Sequence, residues 1–267
     1  MGDNASPQAK QKKRKNQMKK RIISILITGM LCVFFSLDSF GNETVYLTTG
    51  EWSPFTSEDL KDYGFLCRVT TEAFGVVGVN TKYKFFPWKR ASFLVENGVS
   101  DGSVGWIHSE KREDKYYLSD PLAESYNVFF HLKNYKFDWK TEEDLKGIRI
   151  GVTIGYYEEE WLKQMQIESN WSDLLNLKKL ARGRIDIFPC NQEVCMFLIR
   201  KNFPPEMAKQ ITYHRKPYYR ATSHVIFSKT TEKGLRLRNL LNEGLKRLHE
   251  SGRYKQLADA FAKGEYD

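Results

Sequence analysis

The chain has 267 residues, 41% of them hydrophobic, 28% charged, with a formal net charge of +9. Eight Lys/Arg and two Asp/Glu fall in the first 41 residues, so the rest is close to charge balance and a polyanionic partner such as nucleic acid is excluded. What remains is long enough for one large domain or two lobes with cores of their own.

The amino terminus is ordered as a secretory leader. Lys19-Lys20-Arg21 gives a positive start, Ile22 to Leu37 follows without a charge, and Ser39-Phe40-Gly41 puts small residues at both positions ahead of a cut. Residues 1–41 are therefore expected to be a signal peptide, with Asn42 as the mature start and 1–17 as an extension ahead of Met18. The alternative, a retained membrane anchor, is opposed by Ser24, Thr28, Gly29 and Ser36 within the apolar run. Leu31 ahead of Cys32 opposes lipid attachment there.

From Val45 short apolar strands alternate with helical stretches, the pattern of an α/β protein with substantially parallel sheets. Val45 to Thr49 reads as a strand ended by Gly50, and a helix after Gly64 carries Leu66, Val69, Ala73 and Val77 on one side. Val79 to Phe86 reads as a strand closed by Pro87, Trp88 to Asn97 as a helix stopped by Gly98, and Gly102 to Trp106 as a strand. Tyr126 to Leu132 is expected to cross to a second half of the same grammar. There Ile148 to Thr153 is a strand ended by Gly155, helices follow from Tyr156 and over Ser172 to Ala181, and Gly183 precedes a strand at Arg184 to Phe188. Arg220 to Phe227 is the return crossing, and Glu232 to Leu248 and Tyr254 to Ala262 are closing amphipathic helices.

The halves correspond at two places: Thr49-Gly50-Glu51-Trp52 with Ile154-Gly155-Tyr156-Tyr157, and Gly98…Asp101 with Gly183…Asp186. Each half thus carries a glycine turn and aromatic side chains at the carboxyl end of its first strand, where open α/β sheets bind ligands.

Residues that signal enzymatic chemistry are scarce. Phosphate loops, nucleophile elbows and metal-spaced His/Cys/Asp clusters are missing, and the five histidines are scattered, which suits surface or hinge positions. Cys67, Cys190 and Cys195 make an odd set beyond the leader and are expected to be buried thiols, although Cys190 and Cys195 could pair in an oxidising compartment. Aromatic and arginine side chains, by contrast, gather near strand ends: Trp52, Phe55, Trp88, Arg90, Trp106, Arg112 and Tyr156. Flat apolar walls with a few orienting polar groups suit a small-molecule site. After Gly105-Trp106-Ile107-His108 a helical turn opens at Ser109, so free amides, a hydroxyl and Arg112 converge where an anion could bind.

Ser109-Glu110-Lys111-Arg112, followed by Tyr117-Leu118-Ser119-Asp120-Pro121, resembles the Thr-Pro-Glu-Arg … Phe-Ser-Asp-Pro signature of family 3 solute-binding proteins, the periplasmic receptors of polar amino-acid ABC transporters. Further matches in the family's order are Gly50-Glu51-Trp52-Ser53-Pro54-Phe55, Phe86-Pro87-Trp88-Lys89-Arg90-Ala91, Asp144-Leu145-Lys146-Gly147 with Ile150-Gly151-Val152, and Gly183-Arg184-Ile185-Asp186-Ile187-Phe188-Pro189. The resemblance implies a two-lobed type II clamshell, each lobe a mixed, mainly parallel sheet flanked by helices. Lobe one would span 42–127 and 224–267, lobe two 133–219, with hinge strands at 128–132 and 220–223.

The same resemblance implies that Arg112 holds a ligand carboxylate as a bidentate pair, with Ser109 in the place of threonine, and that Trp52 and Phe55 cover the ligand. The second lobe's Gly-Thr turn is represented by Gly155-Tyr156, and its acidic residue for an α-ammonium by Asn191. Glu110 stands where the signature has proline. The expected function is non-enzymatic: a monomer without cofactor or metal that binds a carboxylate-bearing solute in the periplasm and delivers it to an ABC permease in the inner membrane. Two alternatives keep the fold, a dehydratase using Glu51, Glu110 or Glu193, and a solute sensor without transport.

Overall fold

A computed structural model describes residues 43–154 and 164–266. The expected leader and the Gly155-Tyr156 turn lie outside the described residues. The first half opens with β1 (Glu43–Thr49), α1 (Phe65–Gly75), β2 (Val79–Phe85), α2 (Trp88–Glu96) and β3 (Gly102–Ile107). A short α3 (Glu110–Lys115) and β4 (Tyr116–Leu118) lead into the long β5 (Ala123–Leu132). β6 (Arg149–Thr153), β7 (Gln166–Asn170), α4 (Asp173–Ala181), β8 (Ile187–Asn191), α5 (Gln192–Asn202), α6 (Pro205–Ala208) and β9 (Ile211–Tyr213) build the second half. β10 (Tyr219–Ser228) returns, and α7 (Glu232–Glu250) and α8 (Arg253–Ala262) close the chain.

The strands form one ten-stranded sheet in the order β2-β1-β3-β10-β5-β8-β6-β7, with β4 added to β10 and β9 to β5. β1 is parallel to β2 and β3, and β6 is parallel to β7 and β8. β10 and β5, side by side in the middle, run antiparallel to their neighbours. Each half therefore repeats one order, in which the first strand lies between the second and third and a return strand follows the third.

The correspondence at Gly98 and Gly183 has a physical basis. Both glycines have φ of +66°, the left-handed geometry that lets a helix end turn back sharply. Three residues on, Asp101 accepts the Tyr46 amide of β1 at 2.8 Å, and Asp186 accepts the Arg149 amide of β6 at 2.9 Å. The same motif thus pins the first strand of each half to the turn before its third strand.

α1, α7 and α8 cover the first half, where Leu47, Leu66, Phe74, Val104, Phe227 and Leu241 are fully or almost fully buried. The second half has clusters on both faces of the sheet, one including Phe130, Leu177, Phe188 and Cys195 and the other including Phe129, Leu145, Ile150 and Ile187. Phe129 is core as its alternation suggests, whereas Phe85 and Phe86 remain half-exposed on edge strand β2 and the turn after it.

Several elements differ from the sequence expectation. α1 ends at Gly75, and Val77 packs against the core from the following turn. The third strand of the second half lies at Ile187–Asn191, not Arg184 to Phe188. It accommodates Pro189 because β8 pairs with β6 only at Ile187, so the proline sits beyond that ladder. Cys190 and Cys195 form a disulfide, correcting the expectation of two thiols, and Cys67 alone remains a buried thiol among the described residues. His131 and His224 are buried on β5 and β10, while His108 and His249 are exposed.

Candidate functional site

The carboxyl ends of β1 and β3 in one half, and the end of β8 with the starts of α4 and α5 in the other, converge on a cavity of about 450 Å³. This is the region where strand order reverses and side chains from adjacent connections can face one another. The first half lines it with Glu51 and Trp52 after β1, Trp88 at the start of α2, Gly105, Trp106 and Ile107 on β3, and Arg112 on α3. The second half contributes Asp173, Asn191 and Val194.

The floor is one face of the β5–β10 pair. Asn127 lies opposite Tyr219 and Ser125 opposite Ala221, and all four line the cavity because alternate residues of paired strands share a face. Ser125 Oγ is buried there without a hydrogen-bond partner among the described residues, a polar atom available to an occupant.

Arg112 is placed by the turn that opens α3, where the Arg112 amide donates to Ser109 O at 2.9 Å. Its Nη1 donates to Ile107 O at 2.6 Å and reaches Ser109 Oγ at 3.5 Å, and the guanidinium carbon lies 5.2 Å from the Trp106 ring centroid. Burial lowers its pKa from the ordinary arginine value, and no carboxylate among the described residues pairs with it. The result is a half-buried cation with guanidinium donors left for an anion from outside.

Trp88 owes its place to glycines. A Cβ on Gly50 would lie 2.4 Å from Trp88 Cε2, and one on Gly105 would lie 3.1 Å from its Cη2. The indole therefore lies against bare backbone on two sides and meets Trp106 edge-on, centroids 5.3 Å apart at 86°. Trp106 Nε1 is anchored on Ser103 Oγ at 2.8 Å.

On the other wall, Asn191 is the N-cap of α5, its side-chain oxygen accepting the Val194 amide at 3.2 Å. Asp173, the first residue of α4, accepts the Thr153 hydroxyl at 2.5 Å, and Thr153 Oγ1 accepts Asn176 Nδ2 at 3.0 Å. Burial pushes the Asp173 carboxyl above the usual carboxylate range. Among the described residues no group of three His, Cys, Asp or Glu side chains could hold a metal ion.

The family model for bacterial extracellular solute-binding proteins, family 3, matches residues 45–264. The chain belongs to this family. It is 26% identical over 159 residues to the L-cystine-binding protein TcyJ of Escherichia coli, a match covering 57% of this chain and 60% of that protein. YckB of Bacillus subtilis superposes with a TM-score of 0.68 at 23% identity, over 82% of this chain and 89% of that one. The second substrate-binding domain of GlnP from Lactococcus lactis, in its open conformation, gives 0.66 at 17% identity over 83% and 96%. At these identities the structures establish the fold, which is the two-lobed type II clamshell of periplasmic binding proteins.

Of the residues that the sequence singled out in this family 3 protein, Trp52, Trp88, Trp106, Arg112 and Asn191 come together on the cavity. Phe55 does not; the tight Trp52–Thr56 turn sends it inward, where it is 1% exposed and packs between Trp52 and Phe261. Arg90 is exposed and lies 4.8 Å above the Phe86 ring, because two residues along a helix from Trp88 points to the opposite side. Ser109 is not part of the lining; its hydroxyl lies 3.5 Å from Arg112 Nη1. Gly155 and Tyr156 fall outside the described residues. Among the candidate acids, Glu51 lines the cavity, Glu110 is exposed on α3, and Glu193 is half-buried near the start of α5, its carboxyl pushed up by desolvation. Sequence reasoning missed Asp173 and the four floor residues. The floor's signal was the alternation along 123–127 and 219–223, of which only the parts within Tyr126 to Leu132 and Arg220 to Phe227 were read, as crossings.

Proposed function

We propose that this protein is a periplasmic receptor that encloses a small carboxylate-bearing solute, an amino acid or a close relative, and presents the closed form to an ABC permease in the inner membrane. The observation that carries the reading is Arg112: a half-buried guanidinium on a cavity wall, with no acidic partner among the described residues, beneath aromatic walls that suit a small organic body. The likeness to family 3 binding proteins, and to the L-cystine-binding protein TcyJ among them, supports an amino-acid-like ligand.

The proposed lobes are 42–127 with 224–267, and 133–219, hinged at 128–132 and 220–223. In support, β5 pairs with β10 up to Asn127 and with β8 from Asn127 onward, so the strand changes partners at the cavity floor. A solute that touches both walls binds the closed form better than the open one, and that difference drives closure. Delivery to the periplasm rests on the leader-like order of residues 18–41; among the described residues no helix is long and apolar enough to cross a membrane.

The test is calorimetric titration with the solute released from purified protein on denaturation and identified by mass spectrometry. Arg112→Ala is expected to weaken it at least about a hundredfold, the loss of two charge-assisted hydrogen bonds. Equal affinity in the variant means the ligand is held elsewhere.

A further inference from the structure

Among the described residues the cavity exposes one cation, Arg112, and two carboxylates, Glu51 and Asp173. The acids are not equivalent. Glu51 is exposed and its Oε1 already accepts the Glu58 amide at 2.9 Å, so water screens its charge. Asp173 is drawn into the wall of the second half, with Oδ1 fixed by the Thr153 hydroxyl, which Asn176 fixes in turn. Its Oδ2 accepts no hydrogen bond from a described residue.

Asn191 holds the place where an acid for an ammonium would be looked for, and its chemistry is wrong for that task. Its carbonyl oxygen already accepts the Val194 amide in capping α5, which leaves it one lone pair beside the NH2 donors and no charge to offset that of an ammonium. The wall therefore offers a cation one acceptor with charge, and it lies on α4, not at the end of β8.

We propose that Asp173 receives the cationic end of the ligand, so that the cavity selects a zwitterion held between Arg112 and Asp173. The inference rests on the reading of this cavity as a solute site. A carboxylate withdrawn from water with one open oxygen is an unfavourable group until a cation pairs with it, which makes the ammonium a strong contributor to affinity and its absence a strong discriminator.

The elements packed against α4 are β5, β6, β7, β8 and α5. Their titratable groups do not perturb Asp173: Arg149 on β6 pairs with Asp186, Glu168 on β7 pairs with Lys179, Tyr126 on β5 donates to Glu124, His131 on β5 lies against Leu132 O, and neither these nor Glu193, Arg200 and Lys201 on α5 contribute to the Asp173 shift, which comes from burial and, in the opposite sense, the Thr153 hydroxyl. Burial holds the free-state carboxyl above the usual carboxylate range, and an ammonium favours its ionised form. Affinity then falls as pH falls toward that range.

The probes are L-cystine, the common L-amino acids, and 3,3′-dithiodipropionate, which is cystine without its ammonium groups, titrated calorimetrically into wild type and Asp173→Asn. Wild type is expected to bind an amino acid, with Asp173→Asn weaker by about ten- to a hundredfold. The wild-type affinity is also expected to drop on acidification from neutral pH into the range where carboxyls titrate, with a midpoint above that of an ordinary aspartate, a dependence that Asp173→Asn lacks. An amino acid bound equally by both proteins overturns the inference and leaves the proposed function standing. Wild type that takes dithiodipropionate as tightly as cystine does the same. Wild type that binds none of these probes overturns both readings. Should Asp173→Asn fail to fold by circular dichroism, the wild-type pH profile decides, and a flat one refutes the assignment.

Discussion

Replacing Gly50 by alanine should disturb the cavity through Trp88, one of its walls, without removing any side chain from it. The new Cβ would lie 2.4 Å from Trp88 Cε2 and 2.6 Å from Cδ2, and contact between carbons needs about 3.5 Å, so the indole has to retreat by roughly 1 Å. Its retreat is opposed by Trp106, already edge-on at 5.3 Å between centroids, whose own nitrogen is tied to Ser103. Overpacking of this kind costs about 1–3 kcal/mol, or roughly 2–12 °C in melting temperature for a domain of this size. The control is Gly75→Ala, at the last position of α1, where nothing lies within 4 Å of the added carbon; there the change should add about 0.5–1 kcal/mol by restricting the unfolded chain. Scanning calorimetry on solute-free protein, with denaturant titration alongside, measures both. Gly50→Ala melting at or above wild type, or Gly75→Ala falling as far as Gly50→Ala, would refute the packing argument for Trp88.

Opening the Cys190–Cys195 bridge by paired serine substitution should cost about 2 kcal/mol, from the short loop that it closes, and reductant should cost wild type the same; identical denaturation curves with and without reductant would rule this out. Acidification should destabilise the fold in two stages. His224 is buried with its pKa lowered by burial, so the unfolded chain takes up a proton below about pH 6.5 before the folded one does, and stability present above that point is lost as pH falls. Glu72 has its pKa lowered by hydrogen bonds from Arg253 and then Arg68, so its contribution, present above the ordinary carboxylate value, disappears at still lower pH. His224→Gln should flatten the upper stage and Glu72→Gln the lower; a melting temperature constant from about pH 7 to pH 5 contradicts the first.

Much of the fold was legible because local signals agreed with tertiary ones. β1, β3 and α4 show apolar runs bounded by turn residues or a cap, as at Ser172, whose side chain accepts the Leu175 amide at 3.3 Å. α5 escaped notice because it follows β8 without a loop, Asn191 ending the strand and capping the helix at once. β7 escaped because it is an edge strand with one aliphatic residue, Ile167, and relies on β6 for its pairing. In the site, Trp88, Trp106 and Arg112 could be picked out from strand ends, since backbone direction alone delivers them. The floor could not: whether Ser125 and Ala221 face the cavity depends on the register between strands far apart in the chain. Phe55 shows the opposite failure, an aromatic residue at the right place in sequence that a tight turn rotates into the core.

Three of the six tryptophans, Trp52, Trp88 and Trp106, border the cavity, and the Arg112 charge lies over one of them. A carboxylate that neutralises the guanidinium alters the electric field across the Trp106 indole, while closure removes water from its neighbours. Trp171, 80% exposed, and Trp139, beneath the Lys216 ammonium at 4.0 Å, lie outside the cavity lining and supply a steady background. If the proposed function holds, the protein carries its own optical reporter: occupancy is expected to shift ultraviolet emission without a label, so that candidate solutes can be ranked in a cuvette.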